Sequence, residues 1–267
     1  MIGLVIWGVR DRLFSAVSAS ASEVVVPYEP TPASQWINPE AGPSDGSNEN
    51  SPQLGPRHQW TYQEWVTQLS REASAIASNP PEHLNILLGD SISLWFPHEL
   101  LPIGPTWLNQ GISGEGAQGL LNRLDLIDQT NPQVMYLMIG INDLLRDVDD
   151  ETILANQRQI IQNLKVMHPS ATIVVQTVLP HAGDRSTWEG KDQLLALTNQ
   201  RIQNLNQRLA IIADEEGVDY LNLVSIFSDA EGNLRTDFTT DGLHLNDNGY
   251  RVWASALQMH QQLTLDR

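Results

Sequence analysis

The chain has 267 residues, enough for one large domain or two small ones. Its 32 acidic and 15 basic residues give a formal charge of −17, which offers no basic patch for nucleic acid and no simple attraction to anionic lipid. Cysteine is absent, which excludes a disulfide scaffold, a thiolate metal site and a cysteine nucleophile but leaves the compartment open.

Residues Met1 to Val9 are apolar or glycine. As a helix they would span roughly 14 Å, about half a bilayer core. The charges Arg10, Asp11 and Arg12 follow this run instead of preceding it, the reverse of a signal peptide. Residues 1–26 therefore read either as the remnant of a longer signal or anchor, with small residues from Ser15 to Ser22 as a processing site, or as a frayed terminus. Membrane association through this segment, and an envelope, secreted or cytoplasmic location, all stay open.

Residues 27–57 hold seven of the fifteen prolines, with Gly, Ser, Asn and acidic residues between them. Such a stretch cannot bury enough apolar surface to offset its ordering entropy, so a disordered linker is expected. A folded domain is expected over 58–267.

Within that domain, Tyr62, Trp65, Val66, Leu69, Ala73 and Ile76 recur at helical spacing, and Asn79-Pro80-Pro81 ends the helix. Leu84 to Leu88 is an apolar run of strand length. Trp107-Leu108 is a second, weaker strand, followed by a glycine-bearing loop and a helix over 117–127. Val134 to Ile139 is a third strand; Ile153 to Leu164 mark a helix closed by His168-Pro169. Thr172 to Val178 is a fourth strand, Leu194 to Ile212 one long helix closed by Gly217, and Val218 to Leu223 a fifth strand. The last helix runs from about Asp247 to Leu263, with Asn246 as its N-cap. Near-continuous apolar strands alternating with helices predict an α/β fold, a three-layer α/β/α sandwich around a five-stranded parallel sheet.

Open parallel sheets bind ligands beyond the carboxyl ends of their strands. Gly89-Asp90-Ser91-Ile92-Ser93 follows the first strand, Gly111-Ile112-Ser113-Gly114 the second, Gly140-Ile141-Asn142-Asp143 the third, and Asp241-Gly242-Leu243-His244 lies beyond the fifth. Taken singly, each has a plain structural explanation: Ser91 as a helix cap, Gly114 as a turn residue, Asn142 as a loop cap, Asp241-Gly242 as a turn. The other histidines show no zinc-ligand spacing, so neither metal nor cofactor is called for. The α/β-hydrolase elbow G-x-S-x-G also fails, because position 93 is Ser.

Together and in this order, the four blocks over roughly 84–260 resemble the SGNH hydrolases, or GDSL esterase/lipase family. The likeness is greatest to the branch containing platelet-activating-factor acetylhydrolase catalytic subunits and sugar O-acetylesterases. Ile92 replaces the motif's Leu, a conservative change. The resemblance implies a serine esterase with Ser91 as nucleophile, His244 as general base and Asp241 as its orienting carboxylate. It implies an oxyanion hole from the Ser91 and Gly114 backbone N–H groups and the Asn142 side chain, with Asp90 and Asp143 as supports. The implied substrate is a small-molecule or carbohydrate ester, cleaved through an acyl-enzyme. An acyltransferase or thioesterase would use the same residues, and an inactive binding module would keep only the scaffold. Chemistry accounts for the residue types: a Ser hydroxyl needs an adjacent base, His titrates near working pH, and a carboxylate fixes the imidazole. Trp95, Phe96 and Trp107 are candidates for an acyl or alcohol pocket, with core packing as the alternative.

Overall fold

The computed structural model describes residues 60–265. The expected segments 1–26 and 27–57, and the expected domain start at 58, lie outside the described residues. Among the described residues no helix is long and apolar enough to cross a membrane.

Five strands form the sheet: β1 (Leu84–Gly89), β2 (Thr106–Gly111), β3 (Val134–Met138), β4 (Thr172–Gln176) and β5 (Asp219–Leu221). The helices are α1 (Tyr62–Ser78), α2 (Ser91–Leu94), α3 (Ala117–Leu121), α4 (Ile141–Leu145), α5 (Asp150–Met167), α6 (Lys191–Ala196), α7 (Asn199–Glu216), α8 (Val224–Phe227) and α9 (Asp247–Leu265). The strand order is β2-β1-β3-β4-β5 and every pairing is parallel. Right-handed crossovers fix the layers. Moving from β1 to β2 runs one way along the sheet; the remaining steps run the other, so their helices take the opposite face. Accordingly α3 packs on α5 and α5 on α7, while α9 packs against residues 98–100 of the β1–β2 connection.

Local chemistry explains the element ends. Thr61 and Glu64 form a reciprocal capping box at α1, with Thr61 N–H donating to Glu64 Oε2 at 2.7 Å. Gly217 ends α7 at φ +66, the left-handed conformation that glycine tolerates. Asn246 caps α9 as expected, its Oδ1 accepting from Gly249 N–H at 3.0 Å. β1 and β3 are buried along their whole length, which is why they read as apolar runs, interrupted in β1 only by the buried Asn85.

Two expected helices are broken. The stretch 117–127 is α3 followed by a 3-10 turn over Leu124–Ile127, and the break at Arg123 (φ −126°) turns that side chain into the interior. The long helix over 194–212 is divided at Leu197–Thr198. There the Leu197 carbonyl lies 2.6 Å from His181 Nε2, and Thr198 Oγ1 accepts from Arg201 N–H at 3.2 Å to start α7. Tertiary hydrogen bonds override helical periodicity at both points.

Candidate active site

β2 and β3 flank β1, so the turns after these three strands stand side by side at one edge of the sheet. Ser91 opens α2 immediately after β1. Close approach is built in beneath it: a Cβ on Gly89 would lie 2.3 Å from the Met138 carbonyl oxygen. Asp90 caps α2, its Oδ1 accepting from Ile92 N–H at 3.0 Å. From the other end of the chain, α9 braces the same turn through Tyr250, whose hydroxyl donates to the Ile92 carbonyl at 3.0 Å.

His244 arrives on the loop before α9. Its Nε2 lies 3.1 Å from Ser91 Oγ, across 153 residues of sequence. Its Nδ1 lies 2.7 Å from Asp241 Oδ2. A carboxylate can only accept, so Nδ1 carries the proton and Nε2 is left to accept from the serine hydroxyl. Asp241 Oδ1 accepts from the backbone N–H of Leu243 (2.9 Å) and His244 (2.8 Å). Burial alone would raise the Asp241 carboxyl, but the hydrogen bonds and attraction of His244 and the Leu243 N–H outweigh it and hold the group below its ordinary value.

Backbone contacts fix this loop. The Asp241 carbonyl accepts from Thr187 N–H (2.7 Å), Trp188 N–H (2.8 Å) and Ser186 Oγ (2.8 Å). Gly242 sits at φ +95, and a Cβ there would lie 2.6 Å from Ser186. The His244 carbonyl accepts from Thr239 Oγ1 at 2.6 Å and Thr240 N–H at 3.0 Å.

The turn after β2 closes through Glu115 N–H to the Ile112 carbonyl at 3.2 Å, with Gly114 at φ +75. That is the backbone a type II turn requires at its third residue, and glycine adopts it without strain. Asn142 Nδ2 donates to the Glu115 carbonyl at 3.1 Å, and Asp143 Oδ2 accepts from Ala117 N–H at 2.8 Å. The blocks after β2 and β3 are thereby joined. The Arg146 guanidinium donates to the Gly114 carbonyl. Of the polar and glycine positions named in the sequence, Ser91, His244 and Asp241 are joined directly, Asn142 and Asp143 are tied to the turn that carries Gly114, and Asp90 caps the helix that Ser91 opens.

Three carboxyls are buried around it. Burial pushes Asp90 up to about 7, opposed by the Ile92 N–H and the nearby His244. Burial likewise raises Asp143, against the Ala117 N–H and Arg146. It raises Glu115 against the Arg123 guanidinium and the Tyr62 hydroxyl. The sequence singles out none of Glu115, Arg123, Arg146 or the Ser186–Trp188 backbone as site residues, and gives Tyr62 only as a position on the apolar face of α1. No local spacing announces them, because their contacts exist only once the turns fold.

Of the three aromatic candidates, Trp95 lines a cavity of about 780 Å³ with Pro97, Asp241, His244, Asn246 and Tyr250 among others. Phe96 instead packs in the core against Tyr250 and Trp253. Trp107 stacks on Tyr136 and donates to the Pro102 carbonyl at 2.9 Å, away from the cavity lining.

A hydroxyl facing an imidazole, itself oriented by a carboxylate, is an arrangement able to attack a carbonyl carbon. Comparison with known proteins agrees in class. The GDSL-like Lipase/Acylhydrolase family model matches residues 87–252, and the chain belongs to that family. An isoamyl acetate-hydrolyzing esterase of Saccharomyces cerevisiae is 27% identical over 56% of this chain and 66% of its own length. Platelet-activating factor acetylhydrolase IB subunit alpha1 of Pongo abelii is 26% identical over 56% of this chain and 61% of its own. The chain thus spans just under two thirds of these curated relatives. A solved Streptococcus pneumonia structure, given the provisional name platelet activating factor, superposes with a TM-score of 0.66 at 26% identity, covering 74% of this chain and 93% of that one.

Proposed function

We propose that the protein is a metal-free serine esterase that removes a small acyl group, acetyl foremost, from an alcohol or carbohydrate through an acyl-enzyme. The observation that carries this reading is the continuous Ser91–His244–Asp241 array, at 3.1 Å and 2.7 Å. The names of the two curated relatives, both of which denote acetyl-ester hydrolysis, favour acetyl.

Ser91 Oγ attacks the ester carbonyl carbon while its proton passes to His244 Nε2. Asp241 holds the ring and stabilises the imidazolium. The carbonyl oxygen becomes an oxyanion met by Ser91 N–H, Gly114 N–H and Asn142 Nδ2, donors fixed before charge develops. The bond to the alcohol oxygen then breaks, and that oxygen takes the proton from His244. Water attacks the acyl-enzyme in the second half, giving its proton to His244, and the proton returns to Ser91 as the acid leaves. Asp90 and Asp143 act as supports, through the Ile92 and Ala117 N–H groups. The trailing cavity beside Trp95 and His244 takes the alcohol portion. The domain assignment is part of the same proposal: a hydrolase domain over 58–267 behind a tether over 27–57.

Ser91→Ala is the test. With p-nitrophenyl acetate, hydrolysis should fall to background in the folded variant. Retention of wild-type turnover contradicts the mechanism. An acceptor sugar competing with water for the acyl group would convert the reading to an acyltransferase on the same residues.

A further inference from the structure

The Glu115–Arg123 pair lies one residue beyond Gly114 and takes no part in the steps above. Arg123 Nη2 lies 2.5 Å from Glu115 Oε2, and Arg123 Nε donates to Glu115 Oε1 at 2.8 Å. Both side chains are almost wholly buried, at 4% and 1% exposed. The same guanidinium donates to the Gln110 carbonyl at 2.7 Å, at the end of β2. From α1, the Tyr62 hydroxyl donates to Glu115 Oε1 at 3.1 Å. A Cβ on Gly119 would meet Glu115 Cγ at 2.9 Å, so the Glu115 side chain lies directly against the α3 backbone where only glycine leaves it space.

A buried ion pair is a poor way to gain stability, because desolvation offsets most of the attraction. Two apolar side chains of similar volume would serve the core as well. What a bidentate pair adds is direction: two parallel hydrogen bonds fix both position and angle of the carboxylate. Glu115 closes the turn through its own N–H to Ile112, and its carbonyl receives Asn142 Nδ2. Fixing Glu115 therefore fixes the turn that carries Gly114 N–H and the backbone partner of Asn142 together. We propose that the buried Glu115–Arg123 pair is a positioning element of the oxyanion hole, tied through Tyr62 to α1, and that its loss slows turnover without weakening substrate binding. An oxyanion forms only in the transition state, so a misplaced donor lowers kcat and leaves KM nearly unchanged.

This inference rests on the serine-esterase reading, and the experiment separates the two. The double variant Glu115→Met/Arg123→Leu removes both charges at similar volume, which spares the fold the cost of one unpaired buried charge. Arg123→Lys keeps the charge but loses the fork. For each, exhaustive labelling with a fluorophosphonate counts folded, competent sites, so a partly unfolded preparation does not distort the result. The rate of p-nitrophenyl acetate hydrolysis is then expressed per labelled site. The double variant should lose roughly 10- to 100-fold in kcat per site, the scale of an ångström's misplacement, with KM changed less than about threefold. Arg123→Lys should lose less, by about three- to tenfold. If the wild type is labelled at Ser91 and both variants keep kcat per site within about twofold, or lose efficiency through KM instead, the positioning role is overturned while the esterase reading stands. A wild type that is not labelled at Ser91 removes both.

Discussion

The two halves of the site are held by different forces. On one side, the turn from Ile112 to Ala117 is surrounded by charged groups: buried Glu115 against buried Arg123, buried Asp143 against Ala117 N–H, and the half-buried Arg146 on the Gly114 carbonyl. On the other, the loop from Thr239 to Asn246 is held by backbone N–H groups and hydroxyls, three of them on the Asp241 carbonyl alone. The first arrangement is directional and intolerant of losing one partner, since the remaining charge is left buried and unpaired. The second is redundant, since each lost donor leaves others in place. In the proposed mechanism, the donor that meets a transient charge is thus held beside one buried ion pair and charge-assisted bonds to backbone, and the base that accepts and returns a proton is held by many modest bonds.

Substitutions in each half should break or sharpen this contrast. Asp241→Asn keeps the loop's shape but lets the amide stabilise the wrong imidazole tautomer; kcat for p-nitrophenyl acetate should fall by about 10⁴-fold, and a fall below tenfold contradicts the role given to the carboxylate. Asn142→Ala deletes one oxyanion donor and should cost ~10²–10³ in kcat. On the charged side, Arg123→Met alone leaves Glu115 buried without its partner and should lower unfolding free energy by about 3–5 kcal/mol in urea denaturation. On the other side, Ser186→Ala removes one of three donors to the Asp241 carbonyl and should cost only about 0.5–1.5 kcal/mol. If the two stability losses are equal, the contrast fails.

A smaller effect follows from Asp90. Its carboxyl is pushed up to about 7 in the folded state from a usual 3.8. The folded protein therefore binds the proton more tightly, and stability contributed by this group declines as pH rises between those two values. Asp90→Asn keeps an oxygen to accept from Ile92 N–H and has nothing to ionise. Its melting temperature relative to wild type should rise between pH 5 and pH 8, and a constant or falling difference contradicts the assignment. Asp241 has the opposite sign. Held below its ordinary value, it contributes stability above the unfolded pKa that is lost as pH falls through the folded one.

The strands, and the positions of the proposed site's residues beyond them, are legible because they are local. Leu84–Leu88, apart from Asn85, and Val134–Ile139 are apolar since both faces are covered, and Ser91, Gly114 and Asn142 each stand just beyond a strand. Asp241 and His244 are three residues apart, so one loop delivers both. What is not legible depends on contacts that fall outside the helical repeat, 8 and 16 residues apart. Periodicity over 117–127 runs through Arg123 because nothing nearby signals that its guanidinium leaves the helix for Glu115. Periodicity over 194–212 runs through Thr198 because the partner of the Leu197 carbonyl is His181, 16 residues upstream in the same β4–β5 connection and outside the helical repeat. Composition likewise cannot separate Trp95, at the cavity, from Trp107, stacked on Tyr136.

The central claim is that Ser91 carries the acyl group during turnover. Acid quenching of the enzyme within the first turnovers of p-nitrophenyl acetate, followed by peptide mass spectrometry, reads this directly. The account expects one acetyl group on Ser91 and none in Ser91→Ala; acetylation at another residue, or steady turnover of the Ser91→Ala protein, would contradict it.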